Sequence, residues 1–299
     1  MSLLANTRHI YFVAFMVIGF LWGLNWPAVK YILTEMPPLT MRAVAFTAAA
    51  VILFIVVYLL RQPLRIKKEE FIPTAVVGVF LIFGFNVLTA FGQVLLETSK
   101  ATIIAYTMPS LTAILATIYL RERIGFKVLV ALLMAMGGLA VLASENLVTL
   151  IEHPLGPVIM LLAALSWSIG NVGLKSRNWR LQPLPLTVWF FTFSSLVIWP
   201  LVFIYEPIWH QDWPSIGVIG ALAFHILGPM ITCYILWAFL IARLPTTIAA
   251  ISVLTAPVVG VVSSILFLDD VLTWQKCVSL TAIILSISVA SRQSSSSTS

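Results

Sequence analysis

Apolar residues run along this chain in stretches of about twenty, parted by short polar interruptions, and none shows the two-residue alternation of a half-buried strand. Backbone polar groups find no water in hydrocarbon, so stretches of this length predict helices that cross a bilayer and satisfy themselves internally. Barrel strands would be about half as long and alternate. The pattern predicts ten spans, at 9–29, 38–60, 71–94, 99–120, 124–144, 154–174, 184–205, 214–241, 246–268 and 272–291. The expected fold class is all-α integral membrane. Between the spans, the longest charged interruption runs from Arg61 to Glu70, too short to fold as a domain outside the membrane.

The spans fall into two sets of five that repeat one another. Ala101, Pro109 and Glu122 recur as Ala249, Pro257 and Asp270, with the same spacings of eight and thirteen residues. Trp22 and Lys30 stand eight apart, as do Trp167 and Lys175; Asn86 and Tyr234 each precede the Ala of their half by fifteen; Thr107 corresponds to Thr255. Five spans per copy turn the second copy over in the membrane. The expected organisation is a first repeat over 1–150, an inverted second repeat over 151–293 and a disordered Ser-rich tail over 294–299. Two inverted repeats around a central cavity are how many secondary transporters build alternately opening gates.

Composition agrees with a life in lipid: 61% of residues are hydrophobic and 9% charged, and the mean hydropathy is +1.05, outside the range of soluble domains. Charge sets the orientation. Thirteen of the seventeen Lys and Arg fall on the side that holds both termini, leaving Lys30, Arg42, Lys100 and Lys276 on the other. The positive-inside rule therefore expects cytoplasmic termini in a cell inner membrane, and explains the net charge of +6 without a nucleic-acid partner. The first run ends in Trp26-Pro27 and Lys30, without the small residues of a signal-peptide cleavage site. Cys233 and Cys277 fall inside spans, so no disulfide is expected.

With its paired Ala, mid-helix Pro and acidic residue, the chain resembles the drug/metabolite transporter superfamily in its EamA-type branch, over nearly its whole length. Within that branch, the runs Trp22-Gly23-Leu24-Asn25-Trp26-Pro27 and Tyr106-Thr107-Met108-Pro109-Ser110 resemble the YddG exporters of aromatic and related amino acids. The resemblance implies a basket of helices one to four and six to nine around a central cavity, with helices five and ten outside it.

Side chains placed inside the spans suggest what the cavity holds. Trp22, Asn25 and Trp26 share one helical face by their spacing, and Trp167 and Asn171, Asn86 and Gln93, and Tyr106 and Ser110 add polar and aromatic groups from three further spans. Pro109, Pro229 and Pro257 are expected to bend their helices, and Pro109 and Pro257 to free the carbonyls of Ala105 and Val253 for a ligand ammonium. His225, Tyr234 and Trp237 lie on the eighth span; His225 and Tyr234 point to opposite sides of a straight helix, so both reach the cavity only if Gly228-Pro229 breaks or rotates it. For any single Asn or Trp, and for His225, bonding between helices competes with substrate contact. Lys30 and Lys175 are expected to snorkel to the two interfaces, and Glu122 and Asp270 to cap helix ends.

With no Asp or Glu inside a span, and no Lys or Arg expected at mid-depth, cation antiport through a buried carboxylate and phosphate-bearing substrates are both disfavoured. The expected function is export of amino acids, aromatic or other bulky apolar zwitterions, by alternating access without an ion-coupling carboxylate. A multidrug or general metabolite exporter, with or without proton coupling, stays open as the alternative, because aromatic cavities also accept flat cations. The lone pair Asp269-Asp270 is a poor metal site, so neither enzyme activity, cofactor nor metal is expected. The partners are a small-molecule substrate and membrane lipid. Small residues at Ala131 and Ala135, and at Ala282, Ser286 and Ala290, permit close packing of helices five and ten, expected against their own halves in a monomer.

Overall fold

A computed structural model describes residues 2–122, 125–146, 152–244 and 255–294. Their ordered segments are helices: α1 Ser2–Ile32, α2 Pro38–Leu59, α3 Lys68–Leu95, α4 Thr98–Leu120, α5 Phe126–Ala143, α6 Leu155–Lys175, α7 Pro183–Tyr205, α8 Ile216–Ile241, α9 Thr255–Leu268 and α10 Trp274–Ser294. No strand occurs among the described residues. Seven of the segments are long and apolar enough to cross a membrane: Ile10–Ile32 of α1, then α2, α3, α4, α6, α7 and α8. The chain is an all-helical, multi-pass membrane protein. Ala249, Val253, Arg123 and tail residues 295–299 lie outside the described residues.

Helix starts are set partly by Pro in the first turn, as in α2 and α7, and partly by carboxylates from far along the chain. Glu206 accepts from the backbone N–H groups of Leu39 at 3.1 Å and Thr40 at 2.7 Å, and Asp270 accepts from that of Ser99 at 3.0 Å. Each supplies negative charge to the positive end of a helix while tying the two halves of the chain together. The capping role expected of Asp270 is the one it has.

Packing interlocks the halves. Helix α1 lies on α8 and α9, α6 lies on α3 and α4, and α2 lies on α7. Two glycines set the closest approaches: a Cβ at Gly170 of α6 would stand 2.7 Å from the backbone nitrogen of Leu81 in α3, and one at Gly23 of α1 would stand 2.9 Å from the carbonyl oxygen of Ala256 in α9. Helices α5 and α10 pack chiefly on each other, which corrects the expectation that each stays with its own half. Gly138 faces Ala282 and Ser279 there, so small side chains on both helices draw the pair together.

Candidate functional site

A small cavity of about 40 Å³ lies where α1, α2, α3, α4, α6 and α8 meet. Seven of the residues expected from sequence line it: Trp22, Asn25, Trp26, Asn86, Tyr106, Trp167 and Tyr234. Gln93, singled out as polar, also lines it, together with Arg42, Phe85, Thr89, Met108 and Met230. Asn171, His225 and Trp237 form a layer behind.

The walls are aromatic. The Trp22 ring centroid is 5.8 Å from that of Tyr234 and 5.7 Å from that of Trp237, Trp167 is 5.1 Å from Trp237, and Trp26 is 6.3 Å from Tyr106. These separations fall in the range of favourable tilted ring pairs. Asn171 is used up inside the protein, accepting from Trp237 Nε1 at 2.6 Å and donating to the Trp167 carbonyl at 2.8 Å. Asn86 donates to the Ile82 carbonyl at 2.8 Å and to the Tyr234 hydroxyl at 2.9 Å.

Three helices lose regular α geometry beside the cavity. Helix α8 widens to a π-helix over Ile226–Cys233 around Gly228 and Pro229, at the break the sequence predicts, with Thr232 Oγ1 donating five residues back to the Leu227 carbonyl at 2.8 Å. Trp22 Nε1 donates to the Pro229 carbonyl at 3.3 Å, so part of the disturbed backbone is satisfied by α1. Helix α3 widens in the same way over Val79–Gly84. Helix α4 is interrupted at Tyr106 and Thr107 and restarts at Met108. Pro109 therefore stands in the first turn of a new helical segment, where Pro is well tolerated, and does not kink a continuous helix. Pro257 is buried near the start of α9 as described.

Arg42 corrects the charge reading. Its place near an apolar run's start suggests an interfacial side chain, yet it is 1% exposed and lines the cavity. Its Nη1 lies 2.9 Å from His225 Nε2, and Nη2 donates to Thr89 Oγ1 at 3.5 Å. A guanidinium can only donate, so Nε2 accepts and the ring proton sits on Nδ1, which contacts Asn25 Oδ1 at 2.6 Å. His225 is thus buried in a chain running Asn25, His225, Arg42, Thr89, drawn from four helices. Among the described residues Nε of Arg42 and Oε1 of Gln93 have no hydrogen-bond partner.

Lys30 and Lys175 are each held at the end of a neighbouring helix. The Lys30 ammonium donates to the carbonyls of Gln93 and Leu96 at the end of α3, and that of Lys175 to those of Ile241 at 3.0 Å and Leu244 at 3.1 Å at the end of α8. Cations at helix C-termini meet both unpaired carbonyls and the negative end of the dipole. Among the described residues no cluster of His, Cys, Asp and Glu could hold a metal ion.

The EamA-like transporter family model matches this chain twice, over residues 9–144 and over 154–292. The Uncharacterized transporter YoaV of Bacillus subtilis is 22% identical over 86% of this chain and 88% of its own length. The Probable amino-acid metabolite efflux pump of Escherichia coli is 26% identical over 86% and 87%, and its Salmonella typhimurium namesake 27% identical over 88% of each. A solved crystal structure, 19% identical, superposes with a TM-score of 0.76 over 94% of this chain and 96% of its own, a likeness of fold.

Proposed function

The chain belongs to the EamA-like transporter family, and on that premise we propose that it exports amino acids, aromatic or other bulky apolar zwitterions, by alternating access across the cell inner membrane with both termini cytoplasmic. The observation that carries this reading is the cavity itself, where aromatic rings, neutral amides and one guanidinium converge. A ring can stack on Trp22, Trp26 or Trp167 while polar groups hold its charged end. The likeness to YddG exporters bears on the same place, since both runs that carry it, around Trp22 and around Tyr106, contribute to the lining. Two relatives are named as amino-acid metabolite efflux pumps.

Two inverted five-helix repeats, 1–150 and 151–293, are supported by several observations. The family matches each half separately. The packing of α1 on α8 and α9 repeats as that of α6 on α3 and α4. The carbonyls held by Lys30 and by Lys175 are related by the same interval of 148 residues that relates Pro109 to Pro257. At about 40 Å³, the cavity is room for a water or two and far below a ligand-sized pocket, so transport requires the helices around it to part. The interruption before Pro109 and the π segment at Pro229 are where that movement would be absorbed.

The test is flux in proteoliposomes: a labelled aromatic amino acid crosses saturably, and an imposed pH gradient drives no uphill accumulation. Absence of flux for any amino acid would remove the reading, and uphill drive abolished by His225→Gln would replace it with proton coupling. The aromatic walls also favour a second reading, a multidrug exporter of flat cations, which the same vesicles distinguish with an aromatic cation as probe.

A further inference from the structure

We propose that Arg42 anchors the carboxylate of the transported molecule and Gln93 accepts from its ammonium group, so that the site takes a free α-amino acid with both groups unmodified. This rests on the export reading above and adds the groups that read the substrate.

Arg42 is, among the described residues, buried without a counter-charge. Among the described residues the ion pairs join Lys100 and Lys276 to Glu97, and the partners of Arg42 are a histidine nitrogen and a threonine hydroxyl, both uncharged. A buried cation with no anion is among the costliest arrangements in a protein, and it persists where something else supplies the anion in the working cycle. The free Nε sharpens the point: Nε and a neighbouring Nη present two parallel donors that match a carboxylate's two oxygens.

Gln93 offers the opposite sense. It is 1% exposed, lines the same cavity, and its Oε1 is a buried acceptor with no donor among the described residues. Its backbone is not free to swing away, since Lys30 holds its carbonyl. An unpaired donor on a cation and an unpaired acceptor on an amide, in one cavity, form the complement of a zwitterion. An organic cation would instead meet Arg42 as a like charge. His225 and Asn25 act here as positioning residues that orient the guanidinium.

The experiment compares three probes in proteoliposomes holding the full chain: phenylalanine, phenethylamine, which lacks the carboxylate, and phenylpropionate, which lacks the amine. The wild type is expected to move phenylalanine at least about tenfold faster than either analogue, in keeping with the strong rejection of ligands that leave buried polar groups unpaired. Arg42→Gln should lose most phenylalanine flux and no longer discriminate against phenethylamine; Arg42→Lys, which keeps the charge without the fork, should restore part of it. Gln93→Leu should lower phenylalanine flux and leave phenylpropionate unchanged, and it carries the test should Arg42→Gln not fold. Wild-type vesicles that move phenylalanine and phenethylamine alike, or Arg42→Gln vesicles that keep the wild-type preference, overturn the assignment while export stands. Vesicles that move no amino acid overturn the export reading and this one with it.

Discussion

Asn86 donates its side-chain amide to the Tyr234 hydroxyl at 2.9 Å, and the two residues are 148 apart, the interval that also relates Pro109 to Pro257 and Thr107 to Thr255. In the proposed inverted-repeat arrangement the two residues are equivalent, and equivalent residues touch one another only close to the axis that relates the copies. On that arrangement the bond lies at the centre of the molecule, beside the cavity that both residues line.

Tyr234→Phe removes that acceptor and leaves the Asn86 amide its second bond, to the Ile82 carbonyl. The loss should be about 1 kcal/mol, the usual net worth of a buried hydrogen bond, read as a fall of about 2 °C in the unfolding temperature of detergent-purified protein. Asn86→Leu, which loses both bonds of the amide and leaves the Tyr234 hydroxyl only its 3.5 Å contact with the Leu81 carbonyl, should cost more. The double variant should be less destabilised than the sum of the two, since both remove one interaction.

How much of this was legible beforehand depends on whether a signal is local. The face formed by Trp22, Asn25 and Trp26 follows from helical spacing, and the break in α8 follows from Gly228-Pro229 alone. Arg42 was misread because a lone Arg four residues after Pro38 has the sequence context of a headgroup contact. What buries it is the arrival of Thr89 from α3 and His225 from α8, 47 and 183 residues away. The partners of Lys30 and Lys175 are not legible for the same reason: they are main-chain carbonyls, which carry no residue signature. The π segment over Val79–Gly84 has no proline to announce it.

Gly170 and Gly137 make a matched pair. A methyl at Gly170 would press on the Leu81 backbone at 2.7 Å, whereas at Gly137 nothing lies within 4 Å. Gly170→Ala should push α6 away from α3 and destabilise by about 1–3 kcal/mol, as overpacking does. Gly137→Ala should be neutral or stabilise by up to about 1 kcal/mol through helix propensity. Unfolding temperatures of the two variants check the contrast; equal behaviour would mean that α3 and α6 do not approach as described.

Glu35, in the connection after α1, accepts from the Ser215 backbone N–H at 2.6 Å and from its hydroxyl at 2.8 Å. These bonds hold its carboxyl below the ordinary carboxylate range. A lowered pKa gives stabilisation that is present above the unfolded value of about 4.3 and lost as pH falls through the folded one. Hydrogen exchange at the Ser215 amide should therefore lose protection, relative to neighbouring amides of α8, as pH drops below about 4. Glu35→Gln should lower protection at neutral pH and remove the step.

Lys30 and Lys175 make the same contact with different helix ends, so their loss should act in opposite directions on one equilibrium. Lys30 ties the end of α1 to the carbonyls at the end of α3, and Lys175 ties the end of α6 to those at the end of α8. In an inverted pair of repeats these ties lie on opposite faces of the membrane. Each ammonium at a partly buried helix C-terminus is worth about 1 kcal/mol, enough to shift a two-state balance about fivefold. Lys30→Met should open the cavity to the face on which the chain termini do not lie, and Lys175→Met to the face on which they do. A cysteine placed at Met230, which lines the cavity, in a background where Cys233 and Cys277 are serine, reports this through membrane-impermeant thiol reagents added to one side of sealed vesicles. Labelling should rise about fivefold from one side in the first variant and from the other side in the second. If both variants label faster from the same side, the two lysines do not hold opposing gates and the inverted arrangement loses its mechanical basis.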